Sequence, residues 1–335
     1  MTIKDLSAQT GYSVGTISRV LNHQPNVSQK ARDTILRAAS ECGFQLNANA
    51  KQLKQQHSNT ILVLVKGTQN KVFALLVESI QDRIAETRYS LVVDYVDEAE
   101  NEVLRAVQLC REKKRLGILF LGGNRETFTA DFDKITQPCV LVTNDASSFP
   151  FPNLSSVSSD DKLAGKIAIE HLIALGHREI AIIAGDHIHS DIGRLRYEGA
   201  MEAFREHGIA FDPETDCETV RYTCQDGYHA AQRLLERGRD FTAIFAMSDV
   251  MAVGAIRGLR DAGKRVPEDI SIVGFDGVEL GEFYIPRLAS VSQNLKELAD
   301  RSFRMLLDNI ESKSTALYEV LPVSLLDRES ARKIN

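Results

Sequence analysis

From residue 60 onward, short apolar runs alternate with amphipathic stretches of helical length, and this alternation constrains the fold more than any other feature. Nearly continuous apolar runs are typical of parallel strands that are covered on both faces, and helices between them supply the covering layers. The alternation occurs twice, on either side of a loop rich in serine and proline at 146–159. We predict strands at 61–65, 91–93, 117–121 and 139–142, and then at 179–184, 218–222, 242–246 and 270–274.

The amphipathic stretches predict the helices that separate these strands. They lie at 73–87, 98–113 and 126–134 in the first half, and at 161–175, 193–208, 226–237 and 248–263 in the second. A further helix near 294–311 and a strand near 317–326 finish the chain. The pattern therefore predicts an α/β body made of two doubly wound parallel sheets of similar size.

The first 45 residues have a purely helical pattern. We predict helices at 3–10 and 14–21, with Gly11 at the turn between them, and a third helix that Ser28 caps. A helix, a glycine turn and a capped second helix form a helix-turn-helix layout. The residues spaced to form its small core are Leu6, Ile17, Val20 and Leu21.

The start of the second helix is where a helix-turn-helix presents side chains to the major groove. Arg19 has the geometry to pair with the O6 and N7 atoms of guanine, and short hydroxyls such as that of Thr16 suit phosphate oxygens. The predicted DNA-binding residues of this segment are Ser13, Val14, Gly15, Thr16, Ser18, Arg19 and Asn22. A plain capped helix pair would show the same glycine and apolar seam, but the third helix and the local charge favour the DNA-binding interpretation.

Charge is distributed unevenly along the chain. The net charge is −6, which argues against binding nucleic acid over the whole surface. Residues 1–60 nevertheless hold seven basic and three acidic residues, a net charge of +4, and the remainder carries −10. A basic head on an acidic body is the pattern expected when one small domain contacts phosphate.

Other classes of protein find little support in the sequence. The chain has no G-x-G-x-x-G, P-loop or G-x-S-x-G motif, so we expect neither an enzyme nor a bound cofactor. Its five cysteines are scattered without a C-x-x-C pair, which favours free thiols in a reducing compartment. No apolar run approaches the length of a membrane span and no signal core opens the chain, so we expect a cytoplasmic protein without a membrane partner.

Several motifs together resemble the lac/gal repressor family of bacterial transcription regulators. They include TIKDLSAQTGYSVGTISRVLN at the start, followed by VSQKARDTIL, NANAKQL, EHLIALGHREIAIIAG, GRLRYEGAMEAF, FAMSDVMAVGA, VPEDISIVGFD and YIPRLASVSQ. The resemblance covers essentially the whole chain in order. The sequence departs from the usual family pattern at Ser7, Tyr12 and Leu46, and at Lys71 and Val72, where Pro-Phe is common.

The resemblance implies a headpiece at 1–46 and a hinge at 47–59, followed by a body of periplasmic-binding-protein type. The expected subdomains of the body are 60–160 plus 291–319 and 161–290 plus 320–335. In similar proteins the hinge folds on operator DNA, and a leucine wedges into the minor groove. The matching residue here is Leu53, and the hinge residues expected at DNA are Asn47, Lys51, Leu53 and Lys54. The alternative is a passive tether in which Leu53 touches the body.

The resemblance also implies a small effector, such as a sugar, in the cleft between the two lobes. The candidate contacts are Phe73, His187, His189, Arg194, Tyr222, Ser248, Asp249, Asp276 and Gln293. Carboxylate and guanidinium groups bind vicinal hydroxyls through charge-assisted hydrogen bonds, and an aromatic ring covers the apolar face of a sugar. Three candidates have simple alternatives: a surface ion pair for Arg194, a core position for Tyr222 and a helix cap for Asp249.

The loop GDHIHSD, residues 185–191, also invites a metal interpretation. Its histidines and aspartates suit Zn²⁺ or Ni²⁺. The corresponding loop faces the effector cleft in similar proteins, and His-x-His in a loop is usually not a metal site. We therefore favour an effector contact from His187 or His189 and expect no metal.

The sequence as a whole predicts a ligand-responsive DNA-binding regulator, most simply a repressor, acting on operator DNA. A homodimer is expected because two related headpieces would read a pseudo-palindrome. A tetramer is the less favoured assembly, since no leucine heptad is evident after Asp327. The alternative function is a stand-alone binding protein for small molecules such as sugars, which would share the two lobes but have no use for the basic helical head.

Overall fold

A computed structural model describes residues 3–21, 27–42, 59–67, 71–188, 190–312 and 315–334. The chain divides into two compact units, Met1–Ser58 and Asn59–Asn335. None of the helices in these described ranges is both long and apolar enough to cross a lipid bilayer.

The smaller unit contains three helices, α1 (Ile3–Thr10), α2 (Val14–Leu21) and α3 (Gln29–Glu41). Gly11 has φ +73° and ends α1, because glycine adopts this left-handed conformation without strain. The helices enclose a small core of Leu6, Ile17, Val20, Ile35, Ala38 and Ala39. The predicted arrangement of the helix-turn-helix pair is confirmed, with Leu21 at the edge of this core.

The first lobe of the larger unit is built on a six-stranded parallel sheet with strand order β11-β5-β4-β3-β1-β2. Its strands are β1 (Thr60–Lys66), β2 (Ser90–Val96), β3 (Gly117–Leu121), β4 (Cys139–Thr143), β5 (Leu154–Ser159) and β11 (Tyr318–Leu321). Its helices are α4 (Lys71–Ala85), α5 (Glu102–Glu112), α6 (Arg125–Asp131) and α13 (Leu295–Ser312), with a short 3-10 turn at Phe132–Lys134.

The second lobe repeats this topology with strand order β12-β10-β9-β8-β6-β7, in which only β12 is antiparallel. Its strands are β6 (Ile180–Ala184), β7 (Cys217–Thr219), β8 (Ala243–Ala246), β9 (Ser271–Asp276), β10 (Ala289–Gln293) and β12 (Val323–Leu326). Its helices are α7 (Asp161–Ala174), α8 (Asp191–Glu206), α9 (Pro213–Asp216), α10 (Cys224–Glu236), α11 (Asp249–Asp261) and α12 (Glu279–Phe283). The predicted fold class is confirmed.

The structure differs from the sequence-based prediction in several elements: β10, α9 and α12 were not predicted, and two further differences concern crossings between lobes. The segment predicted as a loop at 146–159 ends in β5, whose six residues are all buried. The single strand predicted near 317–326 is two strands, β11 and β12, which join different sheets on either side of Pro322. Since β10 belongs wholly to the second sheet and β11 to the first, the chain crosses slightly later than the predicted boundaries at 291 and 320.

Candidate functional site

The larger unit holds a cavity of about 490 Å³ where the carboxyl ends of strands from both sheets face each other. In doubly wound sheets, loops and helix starts at this edge form ligand sites. Residues from the first lobe that line the cavity include Lys66, Lys71, Phe73, Gly122, Gly123, Asn124, Thr143 and Asn144. Residues from the second lobe include Asp186, Ser190, Ile192, Arg196, Arg221, Tyr222, Ser248, Asp276, Val278 and Gln293.

Arg196 is the buried cation of the cavity. Its Nε donates to Asp161 Oδ1 at 2.7 Å and its Nη1 donates to the carbonyl of Met247 at 2.9 Å. Its guanidinium lies 3.6 Å from the centroid of the Phe275 ring, a cation–π contact. The side chain is only 6% exposed, yet it lines the cavity. Three fixed contacts therefore hold this donor in place before any ligand arrives.

Close packing of two helices sets the position of Arg196. Gly165 of α7 lies against the Arg196 carbonyl of α8, so closely that a Cβ at Gly165 would overlap it. Asp161 stands at the first position of α7, where this contact brings it beside the guanidinium. Burial raises the pKa of Asp161, and the charge and hydrogen bond of Arg196 oppose that rise.

Asp276 is the buried acid of the cavity. It ends β9 with φ +118°, a conformation that non-glycine residues rarely adopt and that is typical of functional sites. Gln293 Nε2 donates to its Oδ1 at 2.7 Å. Burial raises the pKa of Asp276, while the nearby Arg196 charge opposes this rise. An acidic side chain and a guanidinium therefore line one cavity, an arrangement that suits charge-assisted hydrogen bonds to vicinal hydroxyls.

Two aromatic side chains contribute apolar surface to the cavity. Phe73 is 8% exposed and packs over Gly122, where a Cβ would press on its ring. Tyr222 covers Gly185 so closely that any side chain there would collide with the ring. Burial raises the pKa of Tyr222 to about 12, so its hydroxyl stays protonated at neutral pH.

Ser248 and Asp249 occupy adjacent positions with different surroundings. Ser248 lines the cavity and caps α11, since its Oγ accepts from the N–H of Met251 at 3.3 Å. Asp249 is 1% exposed and is not among the residues that line the cavity. Its carboxylate instead accepts from the N–H of Val278 at 2.8 Å and from Ser290 Oγ at 2.6 Å.

Arg194, the arginine chosen from the sequence motif GRLR, does not line the cavity, and the structure corrects this prediction. Its guanidinium pairs with Asp191 at 3.1 Å and with Glu198 at 2.7 Å on the surface of α8. The cavity arginine is Arg196, two residues later. Two residues turn an α-helix by about 200°, so only one of the two arginines can face the cleft. The surface ion pair was the simple alternative for Arg194.

In the loop at 185–191, the side chain of His187 packs against the protein. The ring of His187 stacks on that of Tyr197 with centroids 4.4 Å apart, and its Nδ1 lies 3.3 Å from Thr219 Oγ1. His187 is not among the lining residues, and His189 lies outside the described residues. Phe73, Tyr222, Ser248, Asp276 and Gln293 are the predicted effector contacts that the structure brings together.

Sequence reasoning missed several polar residues of the cavity. Thr143 ends strand β4 and Asn144 follows it, while Asn124 caps α6 and Ser190 caps α8. Their common signal is a polar residue at the end of a buried strand or directly before a helix. Lys71 and Val72, two of the departures from the family pattern, both line the cavity; Lys71 is exposed and Val72 is buried.

The second candidate site is the outer face of α2 in the smaller unit. Ser13 caps the helix, since its Oγ accepts from the N–H of Thr16 at 3.2 Å. The predicted DNA contacts on this face are all at least partly exposed: Ser13, Val14, Gly15, Thr16, Ser18 and Arg19. The remaining predicted contacts, Asn22, Asn47, Lys51, Leu53 and Lys54, lie outside the described residues.

Comparison with known proteins agrees with this two-part organisation. A family described as "Bacterial regulatory proteins, lacI family" matches residues 2–47, and one described as "Periplasmic binding protein-like domain" matches residues 169–331. The chain is 33% identical to the HTH-type transcriptional regulator MalR of Clostridium butyricum, over the full length of both chains.

Two solved structures share the fold over nearly the whole chain. A complex of the transcriptional regulator CelR with cellobiose is 29% identical, with a TM-score of 0.73, over 99% of this chain and 100% of that one. The lac repressor dimer bound to operator and the anti-inducer ONPF is 27% identical, with a TM-score of 0.79, over 99% of each chain. The chain therefore belongs to the lacI family of bacterial regulatory proteins.

Proposed function

We propose that this protein is a ligand-responsive transcription regulator, most simply a repressor, that binds a pseudo-palindromic operator as a homodimer. The observation that carries the proposal is the pairing, in one chain, of an exposed helix-turn-helix face with a cleft containing Arg196 and Asp276. Its function is regulatory rather than catalytic. Because its partner is chromosomal DNA, we expect it to act in the bacterial cytoplasm.

The DNA contact is assigned to α2. Its inner residues Ile17 and Val20 are fully buried, so the helix is anchored in the smaller unit, and its opposite face, which is at least partly exposed, suits the major groove. Arg19 is exposed on that face and is the residue best suited to read a base. In the similar lac repressor complex a dimer is bound to operator, which supports a dimer for this chain too.

The effector is assigned to the class of neutral sugars and related polyols. Arg196 supplies fixed donors, Asp276 supplies an acceptor, and Phe73 and Tyr222 supply apolar surface, a combination that suits a ring carrying vicinal hydroxyls. Among similar proteins, CelR is bound to cellobiose, and a regulator from Enterococcus faecium, 26% identical with a TM-score of 0.72 over 82% of this chain and 100% of that one, is bound to ribose.

Effector control would act through the relative rotation of the two subdomains. We assign 60–160 with the helix α13 and strand β11 to one subdomain, and 161–293 with β12 to the other. A ligand held between them favours the closed arrangement, and a coupling of about 1–3 kcal/mol is enough to change operator affinity substantially.

A thermal-shift panel tests the effector assignment. Neutral mono- and disaccharides, sugar phosphates and nucleobases are compared on the full chain and on a chain lacking residues 1–58. A ligand at 100 times its Kd stabilises its domain by about 2.7 kcal/mol, so a true effector raises the unfolding midpoint of both chains. A nucleobase as the only stabilising compound would contradict the sugar class.

Selection of bound fragments from bacterial genomic DNA tests the regulator assignment. The full chain should enrich a pseudo-palindromic sequence, and the sugar found in the panel should change the affinity for it. Loss of all sequence preference, or an affinity for the selected DNA that the sugar leaves unchanged, would contradict the proposal.

A further inference from the structure

Four cations lie at the carboxyl end of helix α5 and in the loop before strand β3 in the first lobe. Arg111, Lys113 and Lys114 are exposed, whereas Arg115 is only 7% exposed. These four residues are called the junction cluster below. The one carboxylate between these residues, Glu112, accepts a hydrogen bond from Gln108 Nε2 at 2.9 Å. No member of the junction cluster has an ion pair with another residue that the structure describes.

The second lobe has a loop at the equivalent position, between α10 and β8, and its cations are neutralised. Arg237 pairs with Glu218, and Arg239 pairs with Asp216 and, at 3.0 Å, with Glu179. The two loops share their topology and their basic character. Only the loop of the first lobe leaves its positive charge without a partner within the described chain.

The junction cluster lies beside the point where the larger unit begins. The backbone N–H of Leu116, directly after the cluster, donates to the carbonyl of Thr60 at 2.9 Å. Thr60 is the first residue of β1, one residue after Asn59, at which the larger unit starts. The junction cluster therefore lies beside the first residues of the larger unit.

Arg115 distinguishes the junction cluster from a group of solvent-exposed cations at the end of a helix. Cations within the last turn of a helix are favoured by its dipole, which accounts for Arg111. Arg115 lies beyond that turn, and its Nε is buried without any hydrogen-bond partner in the described part of the chain. Burying a guanidinium without a counter-charge costs free energy, which an anion supplied from outside would offset.

We propose that the junction cluster binds backbone phosphates of duplex DNA, as a second contact that does not depend on sequence. Arginine and lysine are the usual phosphate ligands, and such contacts fix position without reading bases. The inference rests on the proposed function, since it requires that the adjoining unit bring DNA to the protein. It extends that function by assigning a DNA contact to the body itself.

The test compares two charge-matched variants of the full chain. Lys113→Gln combined with Lys114→Gln removes two exposed cations from the junction cluster. Lys264→Gln combined with Lys333→Gln removes two exposed cations from the second lobe and changes the net charge equally. Binding to a fluorescent mixed-sequence duplex of about three helical turns is measured by anisotropy, from roughly 50 to 200 mM salt. Thermal unfolding checks that both variants are folded.

Each lost phosphate contact reduces the slope of log affinity against log salt by about 0.9. We expect the Lys113/Lys114 variant to lose about 1.8 from this slope and to bind at least about fivefold more weakly near 100 mM salt. The Lys264/Lys333 variant should retain the wild-type slope. If the two variants behave alike, the inference is wrong and the proposed function still stands. If the wild-type chain itself shows no salt-dependent DNA binding, the proposed function fails.

Discussion

The carboxylate of Asp249 holds the turn that directly follows Asp276. It accepts from the N–H of Val278 at 2.8 Å and from Ser290 Oγ at 2.6 Å, and Ser290 Oγ itself accepts from the N–H of Gly277 at 3.2 Å. This arrangement stabilises the left-handed turn at Asp276 that directs its carboxylate into the cavity. Asp249 therefore positions the acid of the site without lining the cavity itself.

Replacing Asp249 with asparagine should flatten the pH dependence of stability. Burial and then the Asp276 charge raise the pKa of Asp249, and burial raises the pKa of Asp276. Raised carboxyl pKa values mean that the folded state binds more protons, so this pair loses stability as pH rises. The unfolding midpoint of Asp249→Asn relative to wild type should improve by about 2–4 °C from roughly pH 5 to pH 8. Parallel curves for the two proteins would show that folding does not raise the pKa values of this pair.

Replacing Arg196 with lysine should weaken effector binding by about tenfold or more, equivalent to about 1.5–3 kcal/mol. Lysine keeps the charge, but it cannot contact Asp161, Met247 and a ligand at once with fixed geometry. Arg194→Lys is the matched control, because Arg194 lies on the same helix outside the cavity. Calorimetry with the sugar selected by the thermal-shift panel measures the affinity of both variants. Equal losses of affinity in the two variants would show that Arg196 does not bind the effector.

Replacing Arg19 with alanine should cost roughly 1–3 kcal/mol of operator affinity and relax sequence preference at one base pair. Arg37→Ala provides the control, since Arg37 is an exposed cation on α3 rather than α2. Competition between the selected operator and its single-base variants measures the preference. A uniform loss on every sequence would identify Arg19 as a phosphate contact instead.

Replacing Ile17 with alanine should unfold the smaller unit while the larger unit stays intact. Ile17 is fully buried in a core of few side chains, and truncating such a residue costs about 2–5 kcal/mol. The two units are compact in themselves, so the unfolding midpoint of the body and its sugar affinity should be unchanged. Calorimetric unfolding and anisotropy with operator DNA measure the two effects separately. A lower midpoint for the body would show that the units unfold together.

The amino-acid sequence by itself determined the elements whose signals are local. Continuous apolar runs such as 117–121 correctly predicted buried parallel strands, because both faces of those strands are covered by helices. Gly11 and Ser13 marked the turn and the cap of the second helix, because each acts on its own backbone. The resemblance between motifs identified the family. Phe73, Tyr222, Ser248, Asp276 and Gln293 were predicted as cleft residues, and they line the cavity.

Only the tertiary structure decided which residues meet across the chain. Ser155, Ser156, Ser158 and Ser159 have no apolar periodicity, and they form a buried strand because β4 and β11 pair with them on either side. Arg196 rather than Arg194 enters the cavity because α7 packs closely against one face of α8. The carboxylate of Asp249 accepts hydrogen bonds from Val278 and Ser290, which lie far from it in the sequence. Periodicity reports the surroundings of one element, whereas a site requires contacts between several elements, which no single segment encodes.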